Sequence, residues 1–388
     1  MNLALSDEQV FLREAARGAL SRFKTLAAAR EALDGEETAL PDLWPTAKEA
    51  GWPGLLIDEA HGGAGLDAFD AMLVLGECGR VIAGIPLLGH LPATAILGDS
   101  SAAAELLPAL ATGEQRAAYL PAQPPSELDE RWSTDPASGA ARPPLPSASA
   151  AGDPGQAAVT GSFAFVPDAP GADLLVGVAL PAPTPEGLVG KPVGVAIQAD
   201  ASGVSIESVT RYDATRSLGH VTLENAPATV LDAPAESLAA AWYLAQALIA
   251  AESLGSVETA LDVSVAYAKE RFTFGRAIGS YQAVKHSLTE VLRQLENGRS
   301  LLYYAGWARA GAPDEFPLAA SAARSVGSNA LDTAARTMIS VHGGIGATWE
   351  HDAPLYFRRA QLSRRLLGGT GSATDRVAGE LIAQADAA

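Results

Sequence analysis

Cysteine is nearly absent: Cys78 is the only one in 388 residues, which excludes a disulfide framework and a cysteine-based metal cluster. Long apolar runs are lacking as well. The longest, Leu238 to Ala251, is broken by Gln246 and falls short of the roughly 18 to 20 residues of a membrane-spanning helix, so no membrane segment is expected. Positive charge is scarce, with 27 basic against 45 acidic residues and a net charge of −18. That balance argues against a nucleic-acid partner and against an anionic membrane surface. Lysine in particular is rare, 5 residues against 22 arginines. The first residues, Met-Asn-Leu-Ala-Leu-Ser-Asp-Glu, form neither a basic leader nor a cleavable apolar stretch, so the expected location is the cytoplasm.

What is present is a large apolar content, 48%, in a chain long enough for two or three domains. Charge is unevenly placed. Residues 1–270 hold 14 basic and 35 acidic residues, whereas 271–388 hold 13 basic and 10 acidic, 12 of the 13 being arginine. Arginine is the better fork for phosphate oxygens, although a GC-rich genome would give the same excess without any function.

Three segments follow from the periodicity. Residues 1–120 read as a helical domain: Ser6 and Gln9 have capping-box spacing ahead of an apolar-periodic run, and further helical patterns cover 42–50, 67–81 and 101–107, the last ending before Pro108. Residues 121–235 read as a middle β domain. Its first part, 121–156, is an excursion holding 8 of the 25 prolines, and short strands at 159–166, 174–179, 193–197, 204–209 and 220–223 predict a β-sandwich or barrel. Residues 236–388 read as a helical bundle, with long helices over 237–270, 280–310 and 316–340, a glycine turn at Gly343-Gly344-Ile345-Gly346, and further helix after Asp352. The glycine-rich His61-Gly62-Gly63-Ala64-Gly65 does not follow a strand and fails as a dinucleotide loop. A carboxylate-bridged di-iron bundle is discarded because no Glu-x-x-His spacing occurs, and no metal is expected.

The order of helices, β domain and helical bundle is joined by local motifs. Near the start stand Leu5-Ser6-Asp7-Glu8-Gln9 and the stretch from Gly51-Trp52 to Gly65; in the β domain, Gly161 to Val166 and Thr215-Arg216-Ser217-Leu218. More specific are Glu270-Arg271-Phe272-Thr273-Phe274-Gly275 followed by Gln282, and His342-Gly343-Gly344-Ile345-Gly346 with Trp349-Glu350-His351-Asp352 and Tyr356-Phe357-Arg358-Arg359. Together these resemble the acyl-CoA dehydrogenase family of flavoproteins over nearly the whole chain. The resemblance implies the α+β fold of that family: an N-terminal helical domain, a middle β-sandwich or barrel and a C-terminal four-helix bundle. It also implies FAD lying extended across a subunit interface of an oligomer. Arg271 would then reach the diphosphate of a neighbour's FAD, Phe274 would set an apolar ring against the cofactor, and Gln282 would hydrogen-bond its adenosine half. Gly343 and Gly344 would let backbone N–H groups approach the diphosphate.

The reaction that the resemblance implies is α,β-desaturation of an acyl-CoA thioester, an oxidation of a CH–CH bond. A carboxylate takes the α-proton while the β-hydrogen leaves as hydride to the flavin. Two family positions supply that carboxylate, and the register puts them at Gly368, in Leu366-Leu367-Gly368-Gly369-Thr370, and at Ala245. Neither can accept a proton. Glu252 is the nearest replacement candidate, on about the same helix face as Ala245 but roughly 10 Å further along the axis; Asp375 is another. Glu350-His351-Asp352 is read as structural or helix-capping. Ser340 stands where a family glutamine is common, and the middle domain lacks the Thr-Glu and Gly-Ser pattern that meets the chain's own flavin ring.

Three readings stay open at this point. One is an FAD-dependent acyl-CoA dehydrogenase of lipid metabolism, with acyl-CoA as substrate and electron-transfer flavoprotein as the implied acceptor. The second is a non-catalytic subunit of a heteromer with a paralogue, completing the partner's FAD site. The third is a flavin monooxygenase or nitroalkane-oxidising relative on the same fold.

Overall fold

The computed structural model describes residues 4–34, 40–126, 129–137, 141–151, 153, 155–181, 190–210 and 212–387. Helix α1 (Asp7–Leu20) starts at the reciprocal cap expected from its spacing: the Ser6 hydroxyl accepts from the Gln9 amide at 3.2 Å, and Gln9 Oε1 accepts from the Ser6 amide at 3.1 Å. Helices α2 (Thr25–Asp34), α3 (Trp44–Glu49), α4 (Ala68–Arg80), α5 (Leu87–Gly98) and α6 (Leu107–Ala111) complete the N-terminal part. Pro108 does not end a helix as expected. It sits in the first turn of α6, where its missing N–H has no intrahelical partner to lose.

The β domain is a barrel. Its strands are β1 (Ala117–Tyr119), β2 (Ser147–Ala150), β3 (Gln156–Pro167), β4 (Leu174–Pro181), β5 (Val193–Gln198), β6 (Val204–Ser208) and β7 (Leu218–Leu231). The pairings β4–β2–β3–β7–β5 close back on β4, while β1 extends from β4 and β6 from β7. Closure leaves the long strands without an edge. Strand β4 shows why the sequence reads there as an unbroken apolar run. Leu175 and Ala179 face the barrel interior with Val195 and Val221, whereas Leu174, Val176 and Val178 face the helices. Strand β1 lies inside the segment expected to be helical, because a three-residue strand is too short to show a period.

Helices α7 (Ala235–Glu270), α8 (Gln282–Gly311), α9 (Phe316–His342), α10 (Ala353–Ser363) and α11 (Gly369–Ala387) form the C-terminal bundle, and the hairpin β8 (Phe272–Thr273) and β9 (Arg276–Ala277) links α7 to α8. The 36-residue α7 packs against α4, α5, α8 and α9. By length and composition alone it could cross a membrane, but the window that qualifies is 89% buried within the protein, so it is the core helix. Its approach to α4 is at backbone contact. A Cβ at Gly255 would lie 1.9 Å from the Gly76 carbonyl oxygen, and one at Gly79 would lie 1.9 Å from that of Glu252.

Asp168, at the end of β3, joins barrel to helices by accepting the Gly89 amide of α5 at 2.8 Å. Burial pushes its carboxyl up to about 6, outweighing Arg216 and the Gly89 N–H. The folded value lies above the unfolded one, so this contribution is complete below about pH 4 and is lost as pH rises towards about 6. Urea unfolding from pH 4 to 6.5 should show native stability falling by about 3 kcal/mol relative to Asp168→Asn, two units at about 1.4 kcal/mol each.

Candidate functional site

Short links make α7, α8 and α9 run up, down and up, so the end of α7, the start of α8 and the end of α9 share one end of the bundle. The stacking of Tyr267 on His342, at 4.3 Å between ring centroids, fixes the end of α7 against the end of α9. Arg271, Gln282, Gly343 and Gly344 are therefore gathered at that end, and none of the four is buried. The two-residue turn between β8 and β9 is Phe274-Gly275, with φ of 54° and 80°. Positive φ at both positions belongs to the tight hairpin turn, but a phenylalanine there is strained. Phe274 is nevertheless 91% exposed. The hairpin is buttressed from below: Tyr281 Oη donates to the Thr273 carbonyl at 3.1 Å, and the Arg276 guanidinium lies 3.9 Å over the Tyr281 ring. Among the described residues Arg271 makes no ion pair. At Gly343, φ 65° and ψ −137° require glycine, and a Cβ at Gly343 or Gly344 would meet no atom within 4 Å. An anion with a flat body would find an unpaired guanidinium, an exposed ring and an open glycine turn here.

The other arginines of the basic segment have different work. Arg358 lies between the rings of Tyr212 at 3.9 Å and Trp349 at 4.5 Å. Arg293, Arg299 and Arg336 pair with Glu290, Glu296 and Asp332 along their own helices. His351 Nδ1 accepts the Ala353 amide at 3.0 Å at the start of α10, while the N-cap residue Asp352 makes no side-chain cap bond and pairs with Arg30 instead.

Glu252 is not a free base. It is 4% exposed on α7 and is held between two guanidinium groups, Arg216 of the loop before β7 and Arg359 of α10, the latter at 2.6 Å. Arg359 also donates to Asp213 Oδ2 at 2.7 Å and to the Thr215 carbonyl at 3.1 Å. Burial alone would raise the Asp213 carboxyl, but Arg359 and the Thr215 hydroxyl outweigh it and hold it below the usual range. Both carboxylates are committed to structure. The sequence did not show this engagement of Glu252, because the partners lie 36 positions upstream and 107 downstream. Asp375 is exposed on α11.

The two positions that would carry the carboxylate are both closed. Ala245 is fully buried in α7. Gly368 has φ 79°, and a Cβ there would meet Arg142 Nη2, Gln123 Oε1 and Trp242 Cζ2, each at 3.1 Å. Its amide donates to Asp135 Oδ2 at 2.9 Å and its carbonyl accepts from Arg142 at 3.3 Å. The proline-rich excursion thus folds down onto the bundle at this point. An apolar cavity of about 410 Å³ lies between Phe165 of the barrel and Leu362 and Leu366 of the bundle, and its one carboxylate is the committed Asp213.

Comparison with known proteins fits this architecture. The family model described as "Acyl-CoA dehydrogenase, N-terminal domain" matches residues 6–123, and that described as "Acyl-CoA dehydrogenase, C-terminal domain" matches residues 240–382. The acyl-CoA dehydrogenase IpdE2 of Mycobacterium tuberculosis is 30% identical over 93% of both chains. The chain belongs to the acyl-CoA dehydrogenase family. Acyl-CoA dehydrogenases are oxidoreductases acting on CH–CH bonds, and membership implies a flavin cofactor. FadE34 of Mycobacterium tuberculosis, another acyl-CoA dehydrogenase, is 33% identical over 97% of this chain, but the chain spans only 48% of its length. A solved structure of a variant of the Tcur3481-Tcur3483 steroid ACAD superposes with a TM-score of 0.83 at 28% identity, covering 98% of this chain and 99% of that one.

Removing the Glu252 carboxylate would leave Arg216 and Arg359 buried with one counter-ion fewer. Glu252→Ala should cost about 3 to 5 kcal/mol in denaturant unfolding, whereas a catalytic carboxylate facing an open cleft would be lost with little change in stability.

Proposed function

We propose that this chain is the non-catalytic subunit of a heteromeric acyl-CoA dehydrogenase, completing the FAD site of a paralogous partner that supplies the base. The observation that carries the reading is the contrast between the two halves. The cofactor-facing end offers Arg271, Phe274, Gln282 and the Gly343–Gly344 turn to the outside, while the place of the catalytic carboxylate holds Gly368 with three side chains packed against it. Arg271 would fork onto the diphosphate of the partner's FAD, Phe274 would cover the cofactor and Gln282 would bind its adenosine half. Bound FAD would supply the hydride acceptor for α,β-desaturation; the partner's carboxylate would take the α-proton, and electron-transfer flavoprotein would receive the electrons. A homomer of this chain would set each open half-site against a closed one, so the productive assembly needs a different second chain. The Tcur3481-Tcur3483 relative, whose description joins two chain names, supports such pairing, as does the additional length of FadE34 beyond the match.

The chain purified alone should show no flavin absorbance near 450 nm, and co-expression with a carboxylate-bearing paralogue should yield a yellow complex. Arg271→Ala in that complex should lower flavin affinity by at least about tenfold, since a charge-assisted contact to phosphate is worth about 1.5 to 3 kcal/mol. A lone chain that retains FAD and is bleached by an acyl-CoA would overturn the reading.

A further inference from the structure

Three stacked aromatic rings join the parts of the cofactor-facing end. Tyr267 of α7, His342 at the end of α9 and His351 of the loop before α10 follow one another, with ring centroids 4.3 Å apart for the first pair and 4.1 Å for the second. Each ring is tied to a different piece of that end. The Tyr267 carbonyl accepts the Arg271 amide at 2.8 Å, so the first ring anchors the residue that carries the free guanidinium. His342 directly precedes Gly343 and is 5% exposed. The turn folds back on it so closely that a Cβ at Gly346 would lie 2.8 Å from the His342 Cβ. His351 holds the far side of the turn: its amide donates to the Thr348 carbonyl at 3.4 Å, and its ring takes the Ala353 amide.

The partners of the two imidazoles decide where their protons sit. A carbonyl only accepts, so His342 Nδ1, 2.7 Å from the Met338 carbonyl, carries a hydrogen. A backbone amide only donates, so His351 Nδ1 is bare and that ring is neutral, its hydrogen on Nε2. The one nitrogen at which His351 can gain a proton is therefore the one that holds the Ala353 amide. Protonation must break that bond at the start of α10, and it sets a cation in ring contact with His342. Burial above all, then His342 and Arg30 of α2, hold the His351 imidazole below its usual range, while Asp352, itself paired with Arg30, pulls the other way. Tyr267 is the titratable group on the α7 side of His342. The folded value lies below the unfolded one, so the stability contributed here is complete above about pH 6.5 and is lost as pH falls.

We propose that Tyr267, His342 and His351 form an acid-released positioning stack. With His351 neutral the rings set Arg271 against the Gly343–Gly344 turn; a proton on His351 frees the turn, so that the assembled complex gives up its flavin in mild acid. The release of the turn stands on this chain's own geometry, and the loss of flavin rests on the half-site reading. The three rings act through Arg271 and the turn, as positioning residues rather than as ligands of the cofactor.

Hydrogen exchange of the full chain without partner, corrected for the pH dependence of the chemical rate, measures the release. Between about pH 7.5 and about pH 5 the amides of 343–353 should lose protection at least about tenfold, while those of the α7 core keep theirs. His351→Asn puts Oδ1 in the place of Nδ1, where it accepts the Ala353 amide and takes no proton, so its turn should stay protected at both pH values. His351→Ala, with no acceptor, should leave the turn unprotected at both. In the complex with a carboxylate-bearing paralogue, the flavin that passes an ultrafilter should rise at least about tenfold at the lower pH, the worth of a lost phosphate contact. His351→Asn should remove that difference. A turn equally protected at the two pH values, a His351→Asn chain as acid-sensitive as the native one, or a complex that keeps its flavin while its turn loosens would overturn the proposal. The half-site reading fails separately: flavin retained by the lone chain at the higher pH would end that reading and leave the exchange result standing.

Discussion

Two buried carboxylates and two buried guanidinium groups hold the barrel and the C-terminal bundle of this protein in one arrangement. Asp213 and Arg216 come from the barrel, Glu252 from the central helix and Arg359 from the helix after the glycine turn. Each charge is almost wholly removed from water, which is tolerable only because every one has a counter-ion in contact. The cluster therefore fixes the angle at which the barrel sits on the bundle, and with it the distance from the excursion at the barrel's edge to the loop at Gly368. Barrel and helices also share an apolar boundary through Leu174, Val176 and Val178, but apolar contact alone sets no register.

From that fixed arrangement the two ends of the bundle diverge. At one end, three long helices with short links bring Arg271, Gln282 and the Gly343 turn together and leave them open. A phenylalanine at positive φ is held out there, 91% exposed. At Gly368, by contrast, the same chain spends an ion pair, two glutamines and a buried arginine on closing a space. A protein with a whole active site of its own would leave the second open as well as the first. An open first end with a closed second suits a subunit whose chemistry is completed across an interface.

Much of this was legible in the sequence. The alternation of helical and strand periods gave three parts in order, and the boundaries of the long helices fell within two residues of the structure, because long amphipathic or apolar segments show their period clearly. The departures at Gly368 and Ala245 were readable one residue at a time. The closure at Gly368 was not. Asp135 and Arg142 lie more than 220 positions from Gly368, in a stretch whose prolines conceal any period. Glu252 misled for the same reason, its ion-pair partners being distant in sequence. The arginine excess after residue 270 misled differently: Arg324 and Arg359 are structural and several others pair along their own helices, whereas Arg271 makes no ion pair among the described residues. Strand β1, at three residues, was too short to stand out.

The central claim is that this chain lends one half of a flavin site and has closed the other. The ratio of FAD to polypeptide in the purified complex with a carboxylate-bearing paralogue tests it most directly, with flavin counted by absorbance after denaturation and protein by amino-acid analysis. The account predicts one FAD for each pair of unlike chains. Two FAD for each such pair would mean that this chain also binds a flavin of its own, and would contradict it.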